Sequence, residues 1–372
     1  MKKSKFTFFL ADNYAEVYTV YPLIHDLSKK GHGVTIFLDE NLFFNREILS
    51  KFIFIFKDLD CELIFSKKIN QKQLRIIRII KEFTNFFLTI HPNRKKLFKG
   101  QTIFIENSFR TKVSLFVVIY SFFFKNKIFI YDHGSKLVFY VNRYKKRYLF
   151  FGKERIHHLL YSNIEKPWIR NNDFNNLVKI GYPIVPNKIN KLLTLNEKEE
   201  DYFLICGRGI GAFIDREQYK FIINSTIHTL RKYFKNKKII YYPHPKERSF
   251  ELCKSIISKY ENVEIADLNY PSIDYVSKSI GVITILSSII FLASAFNKKV
   301  IEYYPFKENL KKFFPELNDI TPYSKLGFLS ARNVLDLENL VKLEFLNQSN
   351  KSPKKVLEFD DFNIDEILKK IN

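Results

Sequence analysis

The stretch Lys238–Glu247, KIIYYPHPKE, sets an apolar run against two prolines with a histidine between them. Proline cannot donate to a sheet ladder, so Pro243 and Pro245 mark where a strand beginning at Lys238 has to stop. A short apolar strand that ends in a stiffened loop carrying His244 and Lys246 is the repeating unit of a parallel α/β sheet. The fold then depends on whether the rest of the chain repeats that unit.

It does so in two series. Downstream and upstream of KIIYY lie YFLICG (202–207), VEIA (263–266), GVITIL (281–286) and KVIEYY (299–304), separated by amphipathic segments. The first half carries FTFFLA (6–11), VTIFL (34–38), CELIF (61–65), TIFIE (102–106), KIFIY (127–131) and LVKIG (177–181). Between the first two of these the spacing predicts a helix from Ala15 to Lys30, ended by Gly31 as its C-cap. The two series meet at GYPIVPNKINK (181–191), where Pro183 and Pro186 make a natural hinge. The expectation is an α/β chain of two facing, Rossmann-like, doubly wound domains, residues 1–185 and 186–345. The tail 346–372 ends in a short helix that packs back towards the first domain. A length of 372 residues suffices for two cores, and no fixed-period repeat is present.

Composition narrows the partners. Lys and Arg number 61 against 39 Asp and Glu, a net charge of +22 that favours nucleotides, nucleic acid or an acidic membrane surface. Cys61, Cys206 and Cys253 are too few and too scattered for a disulfide framework or a metal cage. The opening MKKSKFTFFLADNY has too short an apolar run for a secretory signal. Val113–Phe124, VSLFVVIYSFFF, falls well short of the about 20 residues that span a bilayer. It reads as a buried helix, and the protein as cytoplasmic. Residues 67–99 carry ten basic side chains and one acidic one. Ile76, Ile79, Ile80, Phe83, Phe87 and Ile90 recur there at helical spacing. The stripe is expected to pack on a sheet, while Arg75, Arg78 and Lys81 attract the chain to the inner face of an anionic membrane.

Ligands of an open parallel sheet bind beyond the carboxyl ends of its strands, which singles out particular loops. YDHGSK (131–136) uses Gly134 to turn sharply, so that Asp132 and His133 project together, with Ser135 in support. A carboxylate there suits proton abstraction from a hydroxyl, and an Asp-turn closing a strand is the equal alternative. His244, flanked by Pro245 and Lys246, suits a phosphate or a departing phosphate oxygen, against the alternative of a plain surface turn. Ser287 and Ser288 open an apolar helix, where hydroxyls and amides favour an anion; an ordinary N-cap accounts for one serine but not two. CGRGIGAF (206–213) lacks the dinucleotide fingerprint, yet it brings Gly207, Arg208 and Gly209 to the end of a strand. No H-x-x-x-H pattern occurs, so no catalytic metal and no cofactor are expected.

The order of an acid-x-Gly loop, His-Pro and Ser-Ser resembles the bacterial GT-B sialyltransferases and capsule polysialyltransferases. The resemblance rests on Asp132-His133-Gly134, His244-Pro245 and Ser287-Ser288, spanning residues 131–296. It implies a GT-B fold with the active site in the interdomain cleft, and inverting, metal-independent transfer of a sialic or related ulosonic acid. The donor would be CMP-activated, and the acceptor a surface glycan or glycolipid. Asp132 would be the base, His244 would assist departure of CMP, and the serines would hold its phosphate. His133 stands where that family has a second acid. It also matches an H-G loop of CDP-glycerol and CDP-ribitol polyol-phosphate transferases, which share the G-Y-P segment at 181–183; there His133 would be the base. A UDP-sugar transferase of the same fold, with Glu302 on the ribose, is a further alternative. A basic nucleic-acid-binding protein is the non-enzymatic one, although no recognition motif for nucleic acid is visible.

Overall fold

The computed structural model describes residues 3–10, 15–40, 46–66, 75–106, 112–131, 155–161, 177–193, 201–211, 213–244, 250–317, 319–346 and 362–371. The chain forms two compact units. Unit 1 is Met1–Leu192 with Phe359–Asn372, and unit 2 is Leu193–Glu358.

In unit 1 the strands are β1 (Lys5–Leu10), β2 (Gly33–Asp39), β3 (Glu62–Ser66), β4 (Gln101–Glu106), β5 (Lys127–Tyr131), β6 (Ile156–Leu160) and β7 (Leu177–Lys179). They lie in the order β3-β2-β1-β4-β5-β6-β7, with every described pairing parallel. Helices α1 (Ala15–Lys29), α2 (Arg46–Asp58), α3 (Arg75–Phe98) and α4 (Lys112–Phe124) connect them, followed by the short α5 (Pro186–Ile189). The strands read as unbroken apolar runs because both faces of a parallel sheet are covered. In β1, for instance, every residue after Lys5 is buried. Helix α1 stops where Gly31 adopts φ 77°. Its amide donates to the Ser28 carbonyl and that of His32 to the Leu27 carbonyl, the paired bonds of a Schellman cap.

Unit 2 repeats the plan. Its strands are β8 (Tyr202–Cys206), β9 (Lys238–Tyr242), β10 (Val263–Ile265), β11 (Gly281–Thr284), β12 (Lys299–Tyr303) and β13 (Ser330–Ala331), in the order β10-β9-β8-β11-β12-β13. All these pairings are parallel. The helices are α6 (Arg216–Tyr233), α7 (Phe250–Ile257), α8 (Ser272–Lys278), α9 (Ile289–Ala295), α10 (Lys307–Phe313), α11 (Pro322–Lys325) and α12 (Val334–Val341). Helix α6 starts in a reciprocal capping box between Asp215 and Gln218. The final helix, α13 (Asp365–Ile371), belongs to unit 1. There Asn363 donates its amide to the Ile180 carbonyl, and Lys30 pairs with Asp365 at 2.9 Å.

Counted from its own first strand, the second sheet has the order 3-2-1-4-5-6 and the first the same order with a seventh strand added, the doubly wound arrangement. The three cysteines are free and buried. Burial pushes the Cys61 thiol up to about 12, so it stays protonated.

Several local expectations need correction. Strands β6 and β13 are additional to those read from sequence. Segment 113–124 lies in a helix whose described side chains are buried on one face only. Phe116 and Val117 enter the core with Phe86, Ile90, Leu97 and Phe98 of α3, whereas Phe122 and Phe123 are 57% and 72% exposed. The stripe of α3 is likewise rotated, since Phe86 and Ile90 face the sheet while Ile80, Phe83 and Phe87 are exposed. The side chains of Arg75, Ile76, Arg78 and Ile79 lie outside the described residues. Among the described residues no helix is long and apolar enough to cross a membrane.

Candidate functional site

The topological switch of unit 2 lies between β8 and β11, where the winding reverses; open parallel sheets bind ligands beyond the strand ends at such a point. Three of the loops singled out from sequence leave the sheet side by side at this edge. The register aligns Cys206 with Tyr242 and with Thr284. The ladder runs one residue further on each side, Gly207 N–H donating to the Tyr242 carbonyl at 2.9 Å and Ile285 N–H to that of Cys206 at 3.1 Å. Gly207-Arg208, Pro243-His244 and Leu286-Ser287-Ser288 are thereby presented together, the last by a parallel neighbour on the far side of the switch.

Arg208 ties the two sides of the switch point. Its Nη1 donates to the Leu286 carbonyl at 2.5 Å, and the guanidinium carbon stands 4.3 Å from the centroid of the Phe213 ring. Burial lowers the Arg208 pKa from its ordinary value, while Tyr323 and Tyr304 act in the opposite sense. Arginine remains charged under such shifts, so a fixed cation sits at the switch. Leu286 has φ 44°, a left-handed conformation that a γ-branched residue adopts only under constraint. The constraint falls immediately before Ser287. Ser287 Oγ accepts from the Ile289 amide at 3.4 Å, and Ser288, the N-cap of α9, makes no side-chain cap bond.

The loop after β8 is pinned rather than loose. The Phe213 carbonyl accepts from the Tyr304 hydroxyl and, at 2.8 Å, from Asn309 Nδ2, which also reaches Gln218 Oε1 at 2.9 Å. Sequence reading missed Phe213, Tyr304 and Asn309 as its anchors; the only hint was the aromatic pair closing KVIEYY. Gly207 is explained by packing, since a Cβ there would stand 1.9 Å from Tyr241 Oη. Gly209 is half-buried on the same loop, and His244 is half-buried at the end of β9. Asp132, His133, Gly134, Ser135, Pro245 and Lys246 lie outside the described residues.

Glu302 departs from its suggested place on a ribose. It is fully buried within β12 and accepts from the hydroxyls of Thr321 and, at 3.0 Å, Ser330. Burial raises its pKa to about 7 against those hydrogen bonds and the charge of Arg332. It is an internal sheet group with no surface to offer a sugar. In unit 1 the strand ends bring two other carboxyls into the interior: Asp39, which accepts from Ser66 Oγ at 2.7 Å, and Glu106 at the end of β4.

No family model matches the chain, and no curated protein matches it. Solved structures do. A UDP-N-acetylglucosamine 2-epimerase described as putative, from Listeria monocytogenes, superposes with a TM-score of 0.62 at 14% identity, covering 100% of this chain and 96% of its own. The UDP-GlcNAc 2-epimerase of Methanocaldococcus jannaschii, in complex with UDP-GlcNAc and UDP, gives 0.60 at 14% identity and 99% coverage of both chains. The fold is GT-B. A UGT of Arabidopsis thaliana complexed with UDP-L-rhamnose shares it at a TM-score of 0.58 and 10% identity, covering 100% of this chain and 98% of that one.

These matches overturn the sialyltransferase resemblance and the CMP-activated donor that came with it. The whole-length neighbours are proteins of UDP-sugars. The physical reason for the error is that the three short motifs all sit at strand ends. A GT-B sheet supplies a turn, a His-Pro stop or a serine junction at such positions whatever nucleotide it serves.

Proposed function

We propose that this GT-B protein is an enzyme acting on a UDP-activated sugar, with the nucleotide held at the carboxyl edge of the unit 2 sheet. The bond from Arg208 to the Leu286 carbonyl carries this reading, because it fixes a cation across the switch point with His244 and two serines on neighbouring strand ends. A diphosphate needs such a set: charge at one point, neutral donors around it and a backbone that approaches closely. When the sugar's C1–O bond breaks, negative charge grows on the departing diphosphate. In this reading Arg208 and His244 meet that charge, so protein groups supply the stabilisation and no resident metal is required. The UDP and UDP-sugar complexes among the structural neighbours support the choice of nucleotide over CMP.

The test is thermal stabilisation by UDP, UDP-GlcNAc, CMP and CDP, on the wild type and on Arg208→Ala. Ligand bound to the folded state raises apparent stability by mass action. Stabilisation by UDP and UDP-GlcNAc that is lost in the variant is expected; a response to CMP alone, or to none of the four, overturns the proposal. Incubation with UDP-GlcNAc, followed by NMR, then assigns the reaction. A new C2 epimer marks epimerisation, and UDP release that depends on an added glycan acceptor marks transfer.

A further inference from the structure

The outer faces of α3 and α4 expose aromatic and aliphatic side chains where an ordinary surface helix is polar. Ile80, Phe83 and Phe87 of α3 are 59%, 43% and 43% exposed, and Ile119, Phe122 and Phe123 of α4 are 40%, 57% and 72% exposed. The two helices form one surface. The rings of Phe83 and Phe87 lie 4.9 and 6.2 Å from that of Phe116, His91 Nδ1 meets the Tyr120 hydroxyl at 2.6 Å, and Phe98 packs 5.3 Å from Tyr120. Helix α4, with the sequence KVSLFVVIYSFFF, has no polar face to turn towards water. A patch of this kind, continuous along two helices, marks an interaction site.

Charge identifies the occupant. Lys81, Lys95, Lys99 and Lys125 are exposed on α3 and at the ends of the two helices, and Glu82 is the one acidic residue in either helix. Pairing the patch with the same patch of a second copy would bring each cationic cluster against itself. An anionic bilayer surface satisfies both features, its headgroups neutralising the lysines while aromatic rings settle at the boundary with the acyl chains. We propose that the α3–α4 face of unit 1 is a docking surface for anionic lipid, on which the protein rests without crossing the membrane. The proposal is independent of the nucleotide reading, since it involves no residue of unit 2.

Co-sedimentation of the full chain with vesicles tests it. Vesicles of phosphatidylcholine with phosphatidylglycerol are expected to bind the protein, and vesicles of phosphatidylcholine alone are not. The double substitutions Phe122→Asp with Phe123→Asp, and Lys95→Glu with Lys99→Glu, should each lower partitioning by about tenfold or more. All four positions are exposed, so far-UV circular dichroism and melting should match the wild type. Failure of the wild type to sediment with the anionic vesicles overturns the proposal, as does equal binding to both kinds. A dimer in sedimentation velocity that the Phe122/Phe123 variant dissociates, with no vesicle binding, assigns the face to a second copy instead.

Discussion

His157 of β6 lies flat against Phe129 of the neighbouring β5, with 4.7 Å between ring centroids and 17° between planes. Neither ring nitrogen of this buried imidazole has a hydrogen-bond partner. Burial, with Lys127 and Lys370 nearby, lowers its pKa from the ordinary 6.5 to about 4. The unfolded chain therefore takes up this proton at a higher pH than the native one does. The contribution of His157 is fully present above pH 6.5 and is lost as the pH falls towards about 4. Urea unfolding across that window should show wild-type stability declining faster on the acid side than that of His157→Phe.

Glu302 titrates in the opposite sense. Its folded pKa of about 7 stands above the ordinary 4.5, so the native state holds a proton that the unfolded chain has released. Stability from this group is complete below about pH 4.5 and is lost as the pH rises through about 7. Glu302→Gln keeps the shape without the ionisation. Its stability relative to wild type should improve between pH 5 and pH 8, and a constant difference across that range would refute the assignment of the shift to Glu302.

Gly207 and Tyr241 should prove energetically coupled. Gly207→Ala places a methyl group 1.9 Å from Tyr241 Oη in a buried setting, and overpacking of this kind typically costs about 1–3 kcal/mol. Tyr241→Ala removes the obstructing ring. In a double-mutant cycle measured by urea unfolding, the double variant should lose less stability than the sum of the single losses.

Arg208 separates charge from geometry. Arg208→Lys keeps the positive charge but cannot both reach the Leu286 carbonyl and lie on Phe213 as the planar group does. Titration calorimetry with UDP should show both Arg208→Lys and Arg208→Ala weakened by about tenfold or more, the scale of one charge-assisted hydrogen bond. Full retention of affinity by the lysine variant would mean that charge alone acts at this position.

Much of the scaffold was legible because parallel strands, buried on both faces, leave unbroken apolar runs such as FTFFL and YFLIC. Strand β6 escaped because His157 and His158 interrupt its run, and only their burial in the folded sheet shows them to be interior. Strand β13 is two residues long, below any period. The outward turn of Phe122 and Phe123 was invisible for a different reason. A helix apolar all round says nothing about which side is covered, and the natural assumption is that every side is. The candidate site was legible as strand-end loops at Arg208, His244 and Ser287-Ser288, since proline, glycine and serine punctuate those ends. What those loops would bind was not, because that depends on how segments far apart in sequence meet, and Arg208 reaching Leu286 is a contact between segments 78 residues apart.

The membership of α13 in unit 1 has a consequence for biosynthesis. Ile367 and Leu368 are buried, Asn363 bonds to the Ile180 carbonyl, and Lys127 Nζ caps α13 at the Lys370 carbonyl at 2.7 Å. Asn363 and the residues of α13 leave the ribosome only after the whole of unit 2. The unit whose strands are made first is thus the one that closes last, and a nascent chain halted at the end of unit 2 carries a finished second unit beside a first one still missing a piece of its core.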